Sequence, residues 1–357
     1  MAANPRVSIF KHPGVMHTRA DIATMRRLIT NHKQPAYGSF VLLRDHFCSK
    51  NNYVLNGPFR VISRDGEYRR TKTLMERDFS AAYQNTLMWV LTDDEAHAIK
   101  ALNILLSYAD TLTTISDTND APLLVGLEGW KIVYAAEMLR YTYSKMSTSQ
   151  FNHISAMLHN VFQPVMERFY GQPPYTNGNW GAIVTKAYMA LAVFFDNRLM
   201  YDKAVNFYLH ACDNGTIEHY IDGITGQIQE SGRDQGHCEL GIGAMATVCE
   251  MAWKQGDDLY AALGNRLLKG YEYVSKYNLG NDVPFKQWID ITGKYCDWTV
   301  ISEKSRGRYM PVFEIVYNHY VRRRGLQMPF TLQVLSQIRP EGYDRDQPAF
   351  GSLLFNP

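Results

Sequence analysis

Residues 147–171 read STSQFNHISAMLHNVFQPVMERFYG, and this stretch indicates the fold class. Ser147 and Gln150 have the spacing of a capping box, in which each side chain bonds a free backbone N–H at a helix start. Apolar residues then recur every three or four positions, at Phe151, Ile154, Leu158, Val161, Val165 and Phe169. This period predicts one amphipathic helix that ends at Gly171, with a kink at Pro164.

The same helical period recurs along almost the whole chain. A second capping box, Thr92-x-x-Glu95, predicts a helix over 93–112. Further helical patterns cover 18–31, 35–48, 74–91, 127–144, 179–195, 199–212, 235–255, 258–277, 311–323 and 328–338. Strand alternation is scarce, so the predicted fold class is all-α, built from helices that short turns join in pairs.

Helical hairpins stack either into an open solenoid or into an α/α toroid whose inner helices surround a cleft. Residue types suited to catalysis cluster in five long loops, at 50–72, 113–126, 171–180, 213–234 and 279–308. These clusters favour the toroid, an incomplete barrel of about six to seven hairpins. No shift in composition marks a boundary, so we predict a single catalytic domain over residues 1–357.

Composition and charge exclude several classes of protein. The 357 residues are 46% hydrophobic and 20% charged, with no apolar run of membrane-spanning length, which predicts a soluble globular protein. The net charge of +2 supplies no global field that would attract nucleic acid or anionic lipid. Five widely spaced cysteines without a Cys-x-x-Cys pair argue against a disulfide framework or zinc knuckle. The first thirty residues show no export signal.

The most informative polar segment is residues 229–237, QESGRDQGH, which runs directly into an apolar helix. His237 would lie in the first turn, where the helix dipole favours a neutral imidazole that can act as a base. Arg233 offers a fork for a carboxylate. Alternatively, Asp234 or Ser231 caps the helix and His237 is a buried structural residue. Asp234 and His237 could also bind a metal, but no second carboxylate–histidine pair at that spacing accompanies them.

Residues 175–180, YTNGNW, enter another apolar helix. The Asn179 amide could donate to a substrate carboxylate, while Trp180 or Trp130 could stack on a pyranose face. Asn177 or Asn179 could instead cap that helix.

Residues 302–311, SEKSRGRYMP, form a third segment, which places two arginines and a tyrosine before a helix. A solvated basic loop is the alternative interpretation. Residues 64–70, RDGEYRR, predict a lid or a surface turn. Motifs of serine hydrolases, zincins, P-loop proteins and Rossmann enzymes are absent from the sequence.

Three segments resemble the alginate-lyase-like α/α-toroid polysaccharide lyases: residues 12–18 (HPGVMHT), 230–237 (ESGRDQGH) and 306–308 (RGR), which precede Pro311. The closest group is polysaccharide lyase family 38, known for glucuronan and mannuronan cleavage. The resemblance spans nearly the whole chain. It implies secretion or a periplasmic location, and metal-independent β-elimination that needs no cofactor. It also implies an anionic polysaccharide as the partner, rather than nucleic acid or a membrane.

The chemistry of β-elimination explains why such residues would meet. The C5 proton of a uronate is weakly acidic, so the adjacent carboxylate must be neutralised before a base can remove that proton. The resemblance assigns this task to Asn179 and His237, with Arg306 nearby. It assigns proton transfer to Tyr309, whose phenol neighbouring arginines would make more acidic.

The match with the family is incomplete at the catalytic tyrosine. Some relatives carry it several residues after the histidine on the same helix, where this chain has Leu240, Ile242 and Ala244. The tyrosine must therefore come from another segment, and Tyr295 and Tyr68 compete with Tyr309. The substrate-binding residues expected from these arguments are Trp130, Trp180, Arg233, Gln235, Tyr295 and Arg308.

The substrate expected from the resemblance is a β-1,4-linked uronate polymer, glucuronan or polymannuronate. In these sugars a same-side arrangement of the C5 hydrogen and O4 would let one tyrosine take the proton and return it, whereas guluronate needs opposed groups. Two alternatives remain. One is an inverting glycoside hydrolase in which Asp234 pairs with Glu230 or Asp290. The other is a polysaccharide-binding toroid without turnover.

Overall fold

The computed structural model describes residues 10–356; residues 1–9, at the start of the segment searched for an export signal, lie outside this part. Within it, fifteen α-helices dominate: α1 (Arg19–Thr30), α2 (Ala36–Asp45), α3 (Lys72–Thr92), α4 (Glu95–Thr111), α5 (Ala121–Thr142), α6 (Thr148–Met157), α7 (Gln163–Gly171), α8 (Gly178–Phe194), α9 (Arg198–His210), α10 (Ile217–Tyr220), α11 (Gln235–Gln255), α12 (Ala262–Asn278), α13 (Phe313–Tyr317), α14 (Pro329–Ile338) and α15 (Gly351–Leu354). Two short strands, β1 (Val61–Ile62) and β2 (Thr114–Ile115), pair in parallel. The predicted all-α class is confirmed.

The longer helices pack as hairpins. Contacts join α1 with α2, α3 with α4, α5 with α6 and α7, α8 with α9, α11 with α12, and α13 with α14. The described chain therefore holds six hairpins, within the predicted number. Helices α3, α5, α8 and α11 contact one another in that order and form the inner layer. Helix α8 is buried on all sides along nearly its whole length, as expected of a helix in a core.

The inner helices point in one direction, because each is followed by an outer helix that returns along it. Their N-termini consequently meet at one end of the toroid, which we call the mouth. Loops 60–71, 113–120, 172–177, 211–234 and 279–312 lie at the mouth. A helix N-terminus carries partial positive charge, so four such ends converge on this region.

Two local predictions at helix boundaries have different outcomes. The capping box at Ser147 and Gln150 is present. The one at Thr92 is wrong: the Thr92 hydroxyl donates back to the Met88 carbonyl oxygen over 2.7 Å, so Thr92 ends α3. Asp93 then adopts a left-handed φ of 58°, and Asp94 caps α4.

Helix α5 begins six residues before the predicted start at residue 127, with Pro122 in its first turn.

The predicted interruption at Pro164 takes a specific form. A π-helical turn, Leu158–Phe162, separates α6 from α7. Proline lacks an N–H and its ring crowds the preceding turn, and the wider π turn accommodates both effects. The five cysteines are unpaired, and across residues 10–356 no helix combines the length and apolarity needed to cross a membrane.

Residues 343–348, which we call the C-terminal segment, cross the inner layer. The buried ammonium groups of Lys131 on α5 and Lys186 on α8 donate to the carbonyl oxygens of residues 345 and 346, over 2.6 and 3.0 Å. The Gln347 amide donates to the Leu240 carbonyl oxygen on α11 over 3.1 Å. The segment thus connects three inner helices through its backbone and one side chain.

Candidate active site

Tyr220 connects the starts of the neighbouring helices α8 and α11. A Cβ at Gly178 would lie 2.3 Å from its ring, and a Cβ at Gly241 would lie 1.9 Å from its hydroxyl oxygen. That hydroxyl donates to Glu230 Oε2 over 2.8 Å and lies 3.2 Å from the carbonyl oxygen of His237. Glycine is required at both positions because a side chain there would displace the buried ring. Tyr220 therefore sets the spacing between the two helix starts.

Asp234 caps α11 and also orients His237. Its Oδ1 accepts a hydrogen bond from the His237 backbone N–H over 2.8 Å, and its carboxylate lies 2.8 Å from His237 Nδ1. Burial opposes ionisation of Asp234, but hydrogen bonds from His237 and the nearby Lys304 bring the pKa of this carboxyl below its usual value. An ionised carboxylate can only accept, so Nδ1 carries a proton, and in the neutral imidazole the lone pair is on Nε2.

The two side chains of this pair differ in their exposure to solvent. The His237 side chain is 34% exposed, whereas that of Asp234 is 4% exposed. The carboxylate is thus held inside the protein, and the imidazole reaches solvent at the mouth. Of the two alternatives posed from the sequence, Asp234 is the cap, whereas His237 is not buried and its Nε2 makes no hydrogen bond in the described chain. A catalytic role for His237 stays a prediction.

Asn179 lies at the start of α8, and its side-chain oxygen is unpaired in the described chain. The residue is 1% exposed, and its Oδ1 has no hydrogen-bond partner in the part of the chain that is described. Asn177 occupies the N-cap position, yet its Oδ1 accepts from Gln229 Nε2 over 3.2 Å. Gln229 Oε1 in turn accepts from the Gly178 N–H over 3.1 Å. Gln229 therefore satisfies the helix start, and Asn179 is not a cap.

Residues 302–310 are docked on the first two turns of α11. Gln235 Nε2 donates to the Ser302 carbonyl oxygen over 2.8 Å, and the Gln235 N–H donates to that of Lys304 over 3.0 Å. The Met310 N–H donates to Glu239 Oε2 over 2.6 Å. These bonds hold Tyr309, next to Met310, beside the helix that carries His237. The predicted segments 229–237 and 302–311 are thus brought to the same mouth.

The structure corrects the predicted role of Arg306. Its Nε donates to the Tyr277 carbonyl oxygen over 2.9 Å, and its guanidinium carbon lies 3.9 Å from the centre of the Tyr277 ring. The side chain is committed to α12 by this stacking and hydrogen bonding. Arg306 therefore holds the loop and is not available to neutralise a substrate carboxylate.

Tyr309 has a different electrostatic environment from the one predicted. Burial, reinforced by the negative charge of Glu239, raises its pKa above the ordinary phenol value. The expectation that neighbouring arginines lower this pKa is wrong, because Arg306 faces Tyr277 instead. The Tyr309 hydroxyl makes no hydrogen bond within residues 10–356, and the side chain is partly exposed. Its environment suits a proton donor.

Two predicted substrate contacts are also corrected. Trp130 is completely buried, with its ring edge-on to Tyr83 at 5.0 Å between centroids, so no face is open to a sugar. Gln235 is buried as well and uses its amide to hold residue 302. Arg233 pairs with Glu230 over 2.7 Å and remains partly exposed. Arg233 could therefore still contact a ligand through its outer edge.

The remaining predicted residues keep surface at the mouth. Trp180 and Tyr295 are partly exposed, and the Tyr295 hydroxyl donates to the Tyr175 carbonyl oxygen over 3.2 Å. Arg308 is exposed and forms no ion pair in the described chain. Tyr68 is partly exposed on loop 60–71. These placements are compatible with substrate contact, which stays a prediction.

The acid pairs considered for a hydrolase are otherwise engaged. Glu230 is fully buried between Arg233 and Tyr220. Asp290 is buried and accepts from Asn214 over 2.8 Å and from the Tyr295 N–H over 2.8 Å. Neither carboxyl has an open position beside a sugar, as an inverting hydrolase requires. Between residues 10 and 356, no three His, Cys, Asp or Glu side chains converge on a metal-sized site.

Residues 45–285, more than half of the chain, match the sequence profile of the family described as alginate lyase. The chain belongs to the alginate lyase family. Membership identifies it as an enzyme, a polysaccharide lyase, and confirms the alginate-lyase-like resemblance of the chain. A comparison with curated proteins finds no match.

Solved structures share the toroid of this alginate lyase family member. Alginate lyase A1-III from Sphingomonas species A1 is similar with a TM-score of 0.71 at 14% identity, over the whole of both chains. A variant of alginate lyase A1-III complexed with tetrasaccharide gives 0.71 at 13% identity, covering 100% of this chain and 99% of the other. An alginate lyase from Bacteroides ovatus gives 0.61 at 13% identity, covering 97% and 99%. The predicted toroid is thereby confirmed.

Three side chains that build this lyase's site had no role in the sequence analysis. Tyr220 spaces the two helix starts, Gln229 satisfies the start of α8, and Glu239 anchors the loop that carries Tyr309. Their partners lie in other segments, 51 residues away for Gln229 and 71 for Glu239. In the sequence, only the glycines at 178 and 241 indicate this arrangement. They show that another group approaches the backbone closely, but not which residue it is.

Proposed function

We propose that this lyase cleaves a β-1,4-linked uronate polymer, polymannuronate or glucuronan, by β-elimination. One observation carries the proposal. The Asp234-oriented imidazole of His237, open at Nε2, stands at the same mouth as Asn179, whose side chain makes no hydrogen bond within residues 10–356, so that its Nδ2 can donate to a carboxylate. A base and a carboxylate-binding amide are the two groups that abstraction of a C5 proton requires.

The electrostatics of the mouth favour an anionic chain. The partial positive charges of four helix N-termini attract carboxylates. Arg69, Arg70 and Arg308 are exposed there and form no ion pairs with residues 10–356. Alginate lyase A1-III, with the same toroid, has been solved with a tetrasaccharide, which supports a saccharide ligand here.

In the proposed mechanism the two proton transfers are divided between two residues. The Asn179 amide donates to the uronate carboxylate and stabilises the negative charge that develops on it. His237 Nε2 takes the C5 proton. The C4–C5 double bond forms as the C4–O4 bond breaks, and the Tyr309 hydroxyl donates its proton to the departing O4. The raised pKa of Tyr309 keeps the phenol protonated, so it suits the acid half of the proton transfer that the resemblance assigned to it better than the base half.

Assignment to polysaccharide lyase family 38, and secretion or a periplasmic location, remain part of this proposal. The family 38 assignment rests on the resemblance of the 230–237 segment, whose polar residues build the Asp234–His237 pair and the Glu230 anchor. An extracellular polymer as substrate would require export of the enzyme.

Ultraviolet absorbance of the product tests the proposed reaction. Elimination leaves an unsaturated sugar at each new chain end, whereas hydrolysis leaves a saturated one. We expect absorbance to rise with polymannuronate or polyglucuronate. New reducing ends without absorbance would indicate a hydrolase. Retention of the polymer without any cleavage would indicate a binding toroid.

Chelator treatment is expected to leave the activity unchanged. His237, Asn179 and Tyr309 supply base, carboxylate contact and acid, and Asp234 is already bonded to His237. Initial rates before and after incubation with excess EDTA give the measurement. Loss of activity that one divalent cation restores would contradict the mechanism and favour a metal at Asp234 and His237.

Replacing Asn179 with alanine is expected to lower kcat/KM by about 10²–10³-fold, the usual cost of removing one donor to a developing oxyanion. Asn177→Ala is the matched control, since Asn177 sits two residues away and bonds Gln229. The control should retain activity within about tenfold, since it loses one neutral hydrogen bond. If the two variants lose kcat/KM equally and melt at the same temperature, Asn179 has a structural role and does not contact the substrate.

A further inference from the structure

We propose that Arg345 binds a second carboxylate of the polymer, and that the C-terminal segment forms the floor of the substrate cleft. The inference rests on the proposed function, because it assumes a polymer with a carboxylate on each sugar. It adds a binding residue more than one hundred positions beyond the segment that holds His237.

The backbone contacts place Arg345 beneath the mouth. Gln347 bonds the carbonyl oxygen of Leu240, which is one helical turn beyond His237 on α11. Arg345 is two residues from Gln347, so their Cα atoms are at most about 7 Å apart. On the opposite side, Arg345 Nη1 lies 3.7 Å from Glu76 Oε2, in the second turn of α3. Arg345 therefore lies between two inner helices, near their mouth ends.

A contact of Arg64 with Glu76 is further evidence that Arg345 lies near the mouth. It belongs to loop 60–71 at the mouth, and its Nη1 donates to Glu76 Oε1 over 2.7 Å. The carboxylate of Glu76 thus has a mouth-loop arginine on one oxygen and Arg345 near the other. A ligand that enters under loop 60–71 would meet the Arg345 guanidinium.

The guanidinium of Arg345 is charged, accessible and weakly engaged. Its side chain is 50% exposed, and its two ion pairs, to Glu76 at 3.7 Å and to Asp346 at 3.5 Å, are longer than good charge-assisted hydrogen bonds. Glu76 Oε2 and Asp346 Oδ1 are buried and accept no hydrogen bond in the described chain. The two acids therefore orient the arginine while leaving its donors free.

Other arginines show what a structural pair looks like in this protein. Arg323 makes two hydrogen bonds to Glu250, of 2.8 and 2.9 Å, and Arg339 makes two to Glu314, of 2.6 and 3.0 Å. Both arginines are bidentate on a buried carboxylate. Arg345 lacks this geometry, so its planar fork remains able to take a ligand carboxylate in the same way.

The backbone beneath Arg345 is rigidly held. The ammonium group of Lys131 bonds the carbonyl oxygen of residue 345 itself, and that of Lys186 bonds the carbonyl oxygen of residue 346. Both lysines are buried. Because the segment is fixed before the ligand arrives, little ordering entropy is lost on binding, which is the condition for an effective subsite.

The test measures initial rates by product absorbance on whichever uronate polymer the wild-type enzyme cleaves. We expect Arg345→Ala to raise KM about tenfold, the value of one charge-assisted hydrogen bond, with kcat changed by less than about threefold. Arg345→Lys keeps the charge but loses the fork, and its KM should fall between the two. Arg198→Ala is the control: Arg198 is similarly exposed and pairs with Asp202 on the outer helix α9.

A series of oligosaccharides sharpens the test. The loss in Arg345→Ala should appear only with oligomers long enough to reach the subsite, and shorter oligomers should be cleaved as by the wild type. If Arg345→Ala does not fold, as judged by thermal unfolding, the raised KM of Arg345→Lys carries the test alone. Wild-type KM in every folded Arg345 variant overturns the inference while leaving the lyase function intact. A wild-type enzyme that neither binds nor cleaves uronate polymers overturns both.

Discussion

Replacing His237 with alanine is expected to lower kcat by about 10²–10⁴-fold, the range in which a positioned general base contributes. The variant should fold normally. The bond that caps α11 comes from the backbone N–H of His237, and the contact with Tyr220 uses its carbonyl oxygen. Product absorbance under saturating polymer measures kcat, and thermal unfolding checks the fold. Turnover near that of the wild type would remove His237 from the mechanism.

Asp234→Asn is the matched partner of that variant. Asparagine is as good an N-cap as aspartate, so the start of α11 should be preserved. The amide carries no charge, so it neither fixes the Nδ1–H tautomer as firmly nor stabilises the imidazolium that forms when Nε2 takes a proton. We expect kcat to fall by at least about tenfold with little change in KM. An unchanged kcat would mean that the 2.8 Å contact is structural only.

Tyr309→Phe is expected to lower kcat by about 10²–10³-fold while the polymer still binds, because it removes the proposed proton donor and keeps the ring. Stability should change little, since the lost hydroxyl makes no hydrogen bond within residues 10–356 and the ring keeps its edge-on contact with Phe313. Polymer retention in affinity electrophoresis, alongside product absorbance, separates binding from turnover.

Tyr295→Phe provides the control for this tyrosine. Its hydroxyl donates to the Tyr175 carbonyl oxygen, so the variant should lose about 0.5–1.5 kcal/mol of stability and stay within about tenfold of wild-type turnover. The reverse ranking of the two variants would transfer the acid role to Tyr295. Full activity in both would point to Tyr68.

The pH profile gives a further check on Tyr309. A proton donor must remain protonated, and burial with the Glu239 charge raises the pKa of this phenol above its ordinary value of about 10. The alkaline fall in kcat that is due to Tyr309 should therefore begin only above about pH 10.

The fold was predictable from the sequence where the residues that start and continue a helix lie within a few positions of one another. The Ser147–Gln150 box and the apolar period after it contain everything that starts and continues a helix. The capping box predicted at Thr92 was wrong because the Thr92 hydroxyl donates to the Met88 carbonyl oxygen in the preceding turn. The same residues could also have capped the following helix, so the sequence does not distinguish the two arrangements. The left-handed turn at Asp93 follows from the packing of α3 against α4, which no local pattern encodes.

The site was predictable to the extent that it is made of helix starts. Asp234 and His237 are three residues apart, so their hydrogen bond follows from helix geometry. The placements of Arg306 and Trp130 depend on Tyr277 and Tyr83, which come from other helices. An arginine or tryptophan side chain is equally suited to ligand and core, and only the tertiary partner decides between them.

The connection between the C-terminal segment and the inner helices has a consequence for how the protein is made. Lys186 is completely buried, burial lowers its pKa to about 7, and the carbonyl oxygen it bonds belongs to a residue 160 positions later. During translation, α5 and α8 leave the ribosome long before that carbonyl exists. Lys186 lacks this acceptor until residue 346 is made, so its ammonium group stays hydrated in the nascent chain. We expect the interior to become dry, and the enzyme active, only in a late step dominated by contacts between distant residues.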